Sequence, residues 1–183
     1  TAATEIPEMV SAVIVADTPL STGSLERRSD FFKVFGVWRE IALSGMSIDE
    51  MVPALAAILV SPSDRESKLT FGELPGWDQA YLRFTARYLR MVDPEILAGM
   101  AGGTAGESGR YDLLGMLPQV KCPTLFLQGN PEMGALLAEE DLQQALELMP
   151  SAVSVRIDHA GHDIHLQDAA AALRAVTLFL ESI

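Results

Sequence analysis

Residues 152–165 read Ala-Val-Ser-Val-Arg-Ile-Asp-His-Ala-Gly-His-Asp-Ile-His, a run rich in β-branched residues followed by a loop with all three histidines of the chain. The run predicts a β-strand over residues 152–157, because valine and isoleucine favour extended backbone. One helical pattern precedes it at about 139–149, and another follows at 168–181. A second apolar run, Pro-Thr-Leu-Phe-Leu-Gln-Gly at residues 123–129, predicts the strand before the first of these helices.

Strands and helices therefore alternate with short links in this part of the chain. Such alternation predicts right-handed βαβ crossovers and a parallel sheet flanked by helices. Residues 11–17, Ser-Ala-Val-Ile-Val-Ala-Asp, form a further apolar run without polar alternation. They predict another strand, covered on both faces as in a parallel sheet. The predicted fold class is α/β.

Residues 21–118 contain helical patterns and no convincing strand. Residues that cap helix N-termini mark the predicted starts: Ser29 or Asp30, Ser47, Asp78 (or the preceding Trp77) and Asp93. Ser47 is followed three residues later by Glu50, a capping box, and Gly45 fits the end of the preceding helix. We predict an α/β core from residues 1–20 and 119–183, with a helical segment, residues 21–118, inserted between them.

The composition excludes several classes of protein. Of the 183 residues 49% are hydrophobic and 21% charged, as in globular proteins. Twenty-five acidic and 13 basic residues give a net charge of −12, which disfavours binding to nucleic acids or anionic membranes. No apolar run reaches the roughly 18 residues of a membrane helix, and there is no signal-peptide pattern. The single Cys122 permits no internal disulfide, so we predict a cytoplasmic protein. No glycine-rich phosphate loop follows a strand, and no cofactor is predicted.

Side chains capable of acid–base chemistry follow each predicted strand. Asp17 ends the first strand, Glu132 follows the second, and His159, His162 and His165 follow the third. Parallel sheets bind ligands at the carboxyl ends of their strands, so these loops are expected to meet at one edge. A carboxylate and a histidine that converge there are the acid and base of a nucleophilic triad.

The histidine spacing has two other interpretations. Two or three imidazoles, with the carboxylates of Asp158 and Asp163, offer ligands to a metal ion, but nothing else in the chain completes such a site, and no metal is predicted. The simplest interpretation is that the histidines lie on the surface beside a tight turn. We expect this of His159 and His165.

The order of the motifs resembles the carboxyl-terminal part of an α/β-hydrolase. The matching segments are Pro7-Glu8-Met9-Val10, Cys122-Pro123-Thr124-Leu125, Gly129-x-x-Glu132, Met149-Pro150, Gly161-His162 and Phe179-Leu180. The family inserts a helical lid between two core strands, where the helical patterns of residues 21–118 lie. The resemblance covers the whole chain, and it implies a cofactor-free hydrolase of an ester or related carbonyl substrate.

The resemblance also implies roles for individual residues. His162 matches the general base, which activates a nucleophile and later protonates the leaving group. Glu132 matches the position of the orienting acid after the seventh strand of the family and is the preferred candidate. Asp17 follows the sixth family strand, where haloalkane dehalogenases carry their acid. Asp141 falls inside the following helix and is a poorer candidate.

In the family the nucleophile precedes the acid and the histidine. The chain contains no Gly-x-Ser-x-Gly elbow, and Gly106-Glu107-Ser108-Gly109 does not replace it because no strand precedes it. We predict that the nucleophile lies upstream of this chain. An aspartate nucleophile, as in haloalkane dehalogenases and epoxide hydrolases, and a non-catalytic binding module are the alternatives. The predicted partners are a small-molecule substrate and either the N-terminal part of the hydrolase or a second copy, joined through the exposed strand at residues 11–16.

Overall fold

The computed structural model of the protein describes residues 2–27, 32–60, 68–102 and 113–183. The predicted helix cap at Ser29 or Asp30 and the segment Gly106-Glu107-Ser108-Gly109 lie outside the described residues. In these ranges no helix is long and apolar enough to cross a membrane.

The backbone contacts divide the chain into two compact units. Residues 1–25 with residues 111–183 form one unit, called here the sheet unit, and residues 26–110 form the other, called the helical unit. The predicted domain boundaries, after residue 20 and before residue 119, remain predictions.

The sheet unit contains a three-stranded parallel sheet, as the sequence predicts. Its strands are β1 (Val13–Ala16), β2 (Thr124–Gly129) and β3 (Val153–Ile157), in the spatial order β1-β2-β3. In the register of the sheet, Val15 lies opposite Phe126 and Leu127 lies opposite Val155. All three strands therefore end at the same edge.

The helices of the described residues are, in chain order, α1 (Ala2–Glu5), α2 (Thr22–Arg27), α3 (Val34–Leu43), α4 (Ile48–Ala56), α5 (Gln79–Leu89), α6 (Pro94–Ala101), α7 (Glu139–Leu148), α8 (Ile164–Gln167) and α9 (Ala169–Glu181). Helices α3 to α6 lie in the helical unit and the others in the sheet unit, apart from the end of α2. Short 3-10 turns at Pro7–Met9, Phe71–Glu73, Leu114–Gln119 and Pro131–Met133 complete the described elements.

Strand β2 is the centre of the sheet unit, and all six of its residues are buried. Phe126 packs on one face of the sheet with residues of α7, including Leu142. Leu125 packs on the opposite face with α9, including Phe179. The period-two alternation of side chains thus supplies two hydrophobic layers from a single apolar strand.

The two outer strands are less covered than the sequence predicts. Strand β1 alternates between half-buried and exposed residues, with the Ile14 side chain 38% exposed, rather than being covered on both faces. Only Ile157 is buried in β3. The physical reason is position, because both strands lie at the edges of a three-stranded sheet.

The helical unit follows the capping signals of the sequence. The Ser47 hydroxyl accepts from the Glu50 N–H, and the Glu50 carboxylate accepts from the Ser47 N–H at 2.8 Å, which confirms the capping box. Asp78 caps α5 and Asp93 caps α6. Gly45 adopts a positive φ of 75° two residues after α3 ends, as a helix-terminating glycine does.

Candidate active site

Three loops that follow the strands form the carboxyl edge of the sheet. Asp17 directly follows β1, residues 130–138 connect β2 to α7, and residues 158–163 connect β3 to α8. The Asn130 N–H donates to the carbonyl oxygen of Ala160 at 2.6 Å, which joins the second and third loops.

Asp17 lies at the centre of this edge and is completely buried. Its carboxylate accepts three backbone N–H groups, from Gly129 at 3.1 Å, Leu136 at 2.6 Å and Leu137 at 3.3 Å. Its backbone is left-handed, with φ of 46°, a conformation that aspartate tolerates better than most residues. The sharp turn keeps the carboxylate beside the end of β2.

His162 contacts the same carboxylate. Its Nδ1 lies 3.1 Å from Asp17 Oδ2 and 3.2 Å from the Asp17 carbonyl oxygen. Both oxygens accept hydrogen bonds, so we assign the proton to Nδ1, and Nε2 is then the basic nitrogen of the neutral ring. This is the tautomer that a general base requires.

The surroundings of His162 shift its pKa upward. Burial of the ring lowers the pKa, but the hydrogen bond to Asp17 and the negative charges of Asp17 and Asp163 outweigh burial and raise it above its ordinary value. The side chain is 34% exposed, so it remains accessible from solvent.

Two glycines allow the histidine loop to approach the sheet. A Cβ atom on Gly129 would overlap the carbonyl oxygen of Gly161, and a Cβ atom on Gly161 would overlap that of Met133. The absence of side chains at these positions therefore lets the end of β2, the turn after it and the histidine loop stack backbone on backbone. This stacking brings His162 within reach of Asp17.

The structure does not bring the preferred acid, Glu132, to the histidine. Glu132 is exposed on the 3-10 turn Pro131–Met133, and its N–H donates to the Asn130 side-chain oxygen at 3.0 Å. The described residues provide no hydrogen-bond or ion-pair partner for its carboxylate. Of the two candidate acids, Asp17 is the one whose carboxylate contacts His162.

The other polar candidates lie apart from this pair. His159 and His165 are exposed. Asp141 is buried, but its carboxylate accepts the N–H groups of Leu20 and Ser21, both at 3.1 Å, and so ties α7 to the start of α2. Across the described ranges no cluster of three histidine, cysteine or acidic side chains is arranged to hold a metal ion.

Sequence reasoning missed the groups that hold Asp17. They are backbone amides of Gly129, Leu136 and Leu137, and side-chain identity carries no signal for them. The glycines at 129 and 161 were part of the matched motifs, but their mutual contact is a tertiary feature.

Solved structures share this architecture over nearly the whole chain. E-2-(acetamidomethylene)succinate hydrolase superposes with a TM-score of 0.62 and 21% identity, over 98% of this chain and 61% of that one. MenH from S. aureus superposes with a TM-score of 0.58 and 22% identity, over 99% of this chain and 62% of that one. The enol-lactonase from Burkholderia xenovorans LB400 has a TM-score of 0.56 and 17% identity, over 98% of this chain and 60% of that one.

The chain has the α/β-hydrolase fold. It spans about three fifths of the length of each of these α/β-hydrolase structures. No protein-family model matches the sequence.

One curated protein is similar over a shorter stretch. Acetylornithine aminotransferase from Thermosynechococcus vestitus (strain NIES-2133 / IAM M-273 / BP-1) is 29% identical over 94 residues, which is 51% of this chain and 22% of that protein. A match to about a fifth of the aminotransferase carries neither its fold nor its activity over to a chain with the α/β-hydrolase fold.

Proposed function

We propose that this chain supplies the acid–base half of a hydrolase, with His162 as the general base and Asp17 as the acid that orients it. The observation that carries the proposal is the 3.1 Å contact between His162 Nδ1 and the buried carboxylate of Asp17 at the carboxyl edge of the sheet. Ligands of parallel α/β sheets bind at this edge.

The two residues divide the chemistry. Asp17 fixes the Nδ1–H tautomer and stabilises the imidazolium that forms when Nε2 takes a proton from the nucleophile. The imidazolium then donates that proton to the leaving group. Asp17 is suited to this role because the backbone N–H groups of Gly129, Leu136 and Leu137 donate to its carboxylate and hold it in place.

We assign the orienting role to Asp17 rather than to Glu132. The Glu132 carboxylate is exposed, and a charge surrounded by water stabilises an imidazolium far less than a buried partner in direct contact. The Asp17 carboxylate is buried and touches the ring.

The solved structures with the same fold support a proposal for the substrate class. They include E-2-(acetamidomethylene)succinate hydrolase and an enol-lactonase. We propose that the substrate here is likewise an ester, a lactone or a related carbonyl compound, attacked by a serine from outside these 183 residues, since they contain no Gly-x-Ser-x-Gly elbow.

A second candidate is supported by the same contact. An acid directly after this strand resembles the arrangement of haloalkane dehalogenases, in which the nucleophile is an aspartate. A dehalogenase or epoxide hydrolase is therefore the alternative. Its covalent intermediate is an ester of the nucleophilic aspartate, whereas a serine hydrolase forms an acyl-enzyme on serine.

The test uses the form of the protein that carries a nucleophile, either a longer chain or this chain with a second polypeptide. The intact mass of the purified sample under denaturing conditions identifies that form. His162→Ala is expected to lower kcat/KM roughly 100-fold or more, since it removes the general base. Asp17→Asn is expected to lower it by a comparable factor, provided that circular dichroism shows the variant folded. Glu132→Gln and His165→Ala are the matched controls and are expected to retain activity.

Three results would contradict the proposal. Full activity in His162→Ala would favour a non-catalytic module. A larger loss in Glu132→Gln than in Asp17→Asn would move the orienting acid to Glu132. A single species near 19.7 kDa without turnover would exclude catalysis by the chain.

A further experiment separates the two candidate nucleophiles. A fluorophosphonate probe labels a serine nucleophile, whereas uptake of ¹⁸O from water into an aspartate side chain indicates an aspartate nucleophile.

A further inference from the structure

Two side chains outside the acid–base pair hold the backbone of the loop that precedes His162. The Asn130 side-chain NH₂ donates to the carbonyl oxygen of Asp158 at 2.9 Å. The Gln167 side-chain oxygen accepts the N–H of Gly161 at 2.5 Å. Together with the backbone bond from Asn130 to Ala160, they fix three of the four residues before the histidine.

The two anchors come from opposite sides of the loop. Asn130 directly follows β2, so its position is set by the buried central strand. Gln167 is the last residue of α8, the helix that begins just after the histidine. Both anchors therefore hold residues that precede His162. Asn130 comes from the end of the central strand, and Gln167 comes from a helix that follows His162 in the chain and bonds back to Gly161.

We propose that Asn130 and Gln167 are positioning residues that hold the His162 ring against the Asp17 carboxylate. Their hydrogen bonds run to the loop backbone, from the Asn130 side chain to Asp158 and from the Gly161 N–H to the Gln167 side chain, so each acts through that backbone. A loop with a free Gly161 N–H would sample other backbone angles, because glycine has no Cβ to restrict it. The distance between Nδ1 and the carboxylate would then lengthen.

The inference deepens the proposed function, since it explains how the base is aligned, but it predicts an observable that needs no turnover. The charged groups that act on His162 are Asp17 and Asp163. If the ring moves away from Asp17, its pKa falls toward the ordinary value of histidine, and its Nδ1 proton exchanges faster with water.

The chemistry of the Gln167 contact defines the variants. Gln167→Ala removes the acceptor of the Gly161 N–H, whereas Gln167→Glu keeps an oxygen at the same place. Asn130→Asp keeps the oxygen that accepts the Glu132 N–H but loses the donor to Asp158. Gln143→Ala removes an exposed glutamine of α7 that bonds Glu139 instead, and it is the matched control.

The experiment is a pH titration of the ring nitrogens of His162 by NMR in the 183-residue chain, with His159 and His165 observed in the same spectra. We expect Gln167→Ala to lower the His162 pKa, and both Gln167→Ala and Asn130→Asp to weaken or abolish its Nδ1 proton signal. We expect Gln167→Glu to keep the Nδ1 proton signal and Gln143→Ala to keep both the signal and the pKa.

An unchanged Nδ1 proton signal of His162 in folded Gln167→Ala and Asn130→Asp, together with an unchanged His162 pKa in Gln167→Ala, would overturn the proposal. This holds even if both variants melt at lower temperature, because the two residues would then be structural only. If Gln167→Ala fails to fold, the Nδ1 proton signal of Asn130→Asp decides: its persistence overturns the proposal and its loss supports it. Failure of the proposed function is distinct, since a chain without activity still gives the titration.

Discussion

Asp17 combines two tasks that proteins often divide among several residues. Its carboxylate accepts three buried backbone N–H groups and also contacts His162. A buried N–H left without an acceptor costs about 1–3 kcal/mol. Asp17→Ala would orphan all three, so we expect it to destabilise the sheet unit by more than about 4 kcal/mol, among the largest effects of single substitutions. The asparagine variant is the better probe of chemistry.

The raised pKa of His162 makes the free energy of unfolding depend on pH. A folded-state pKa above the unfolded one means that the folded state binds the proton more tightly, so this stabilisation is complete below the unfolded pKa and is lost as pH rises through the folded pKa. We predict that the difference in unfolding free energy between the wild-type protein and His162→Gln shrinks from about pH 5 to about pH 9. Urea titrations across this range measure it.

The control for this prediction is His165→Gln, at an exposed histidine of α8 without an ion-pair partner among the described residues. It shows how the loss of an exposed imidazole changes the same measurement. A difference for His162→Gln that grows with pH would have the wrong sign and would show that burial of the ring outweighs the charge of Asp17.

At the scale of elements, the site depends on how closely a loop approaches a strand. The Gly161 backbone packs against the carbonyl oxygen of Met133 and the end of β2 at Gly129, with no room for a side chain at either glycine. Adding a methyl group to a packed backbone contact costs about 1–3 kcal/mol. The cost falls on the segment that carries His162.

We therefore predict that Gly161→Ala lowers the free energy of unfolding by about 1–3 kcal/mol. Under the proposed function it also reduces activity, by displacing His162. Chemical denaturation measures the first effect. Gly36→Ala is the matched control, because a Cβ there would lie 3.6 Å from the Ala101 Cβ inside the helical unit, and alanine favours helix over glycine by about 1 kcal/mol. Equal stability in the wild-type protein and Gly161→Ala would show that the loop gives way without strain.

Local patterns predicted the elements well. The strand expected at residues 123–129 is Thr124–Gly129, that at 152–157 is Val153–Ile157, and the capping box at Ser47 is formed. These features depend on neighbours along the chain, where propensity and capping act directly. The strand expected at residues 11–17 is shorter, Val13–Ala16, because the ladder with β2 ends where Asp17 turns into the left-handed conformation.

Tertiary contacts were the limit of prediction at the site. Both Asp17 and Glu132 follow strands at the same edge, and sequence spacing does not reveal which way a carboxylate points. The left-handed backbone of Asp17 turns its side chain toward the end of β2, whereas the 3-10 turn leaves Glu132 exposed. Gln167 had no motif that singled it out, because its partner is a backbone N–H.

At the scale of the whole molecule, the sheet of the described residues has two open edges. Strand β1 pairs only with β2, and its Ile14 side chain is 38% exposed. In the solved structures with the same fold, about two fifths of the chain has no counterpart in this protein. We propose that the outer edge of β1 pairs with a further strand, from the N-terminal part of the proposed hydrolase or, when the chain is alone, from a second copy.

We predict that the isolated chain self-associates and that Ile14→Lys makes it monomeric, since a charge on an edge strand opposes pairing. Analytical ultracentrifugation measures the mass of the particle. Leu173→Lys, a charge introduced at a 68%-exposed leucine of α9, is the control and should leave association unchanged. A strictly monomeric wild-type chain, or equal effects of the two variants, would contradict pairing through β1.

The shared carboxylate of Asp17 has a consequence for how such chains diverge. In a lineage released from selection for hydrolysis, Asp17 would persist, because the fold itself depends on the three amides that it binds. His162, whose side chain is 34% exposed, would be less constrained by the fold. In descendants of this chain an aspartate at position 17 would therefore mark an intact fold, and under the proposed function loss of the histidine at position 162 would mark the end of catalysis.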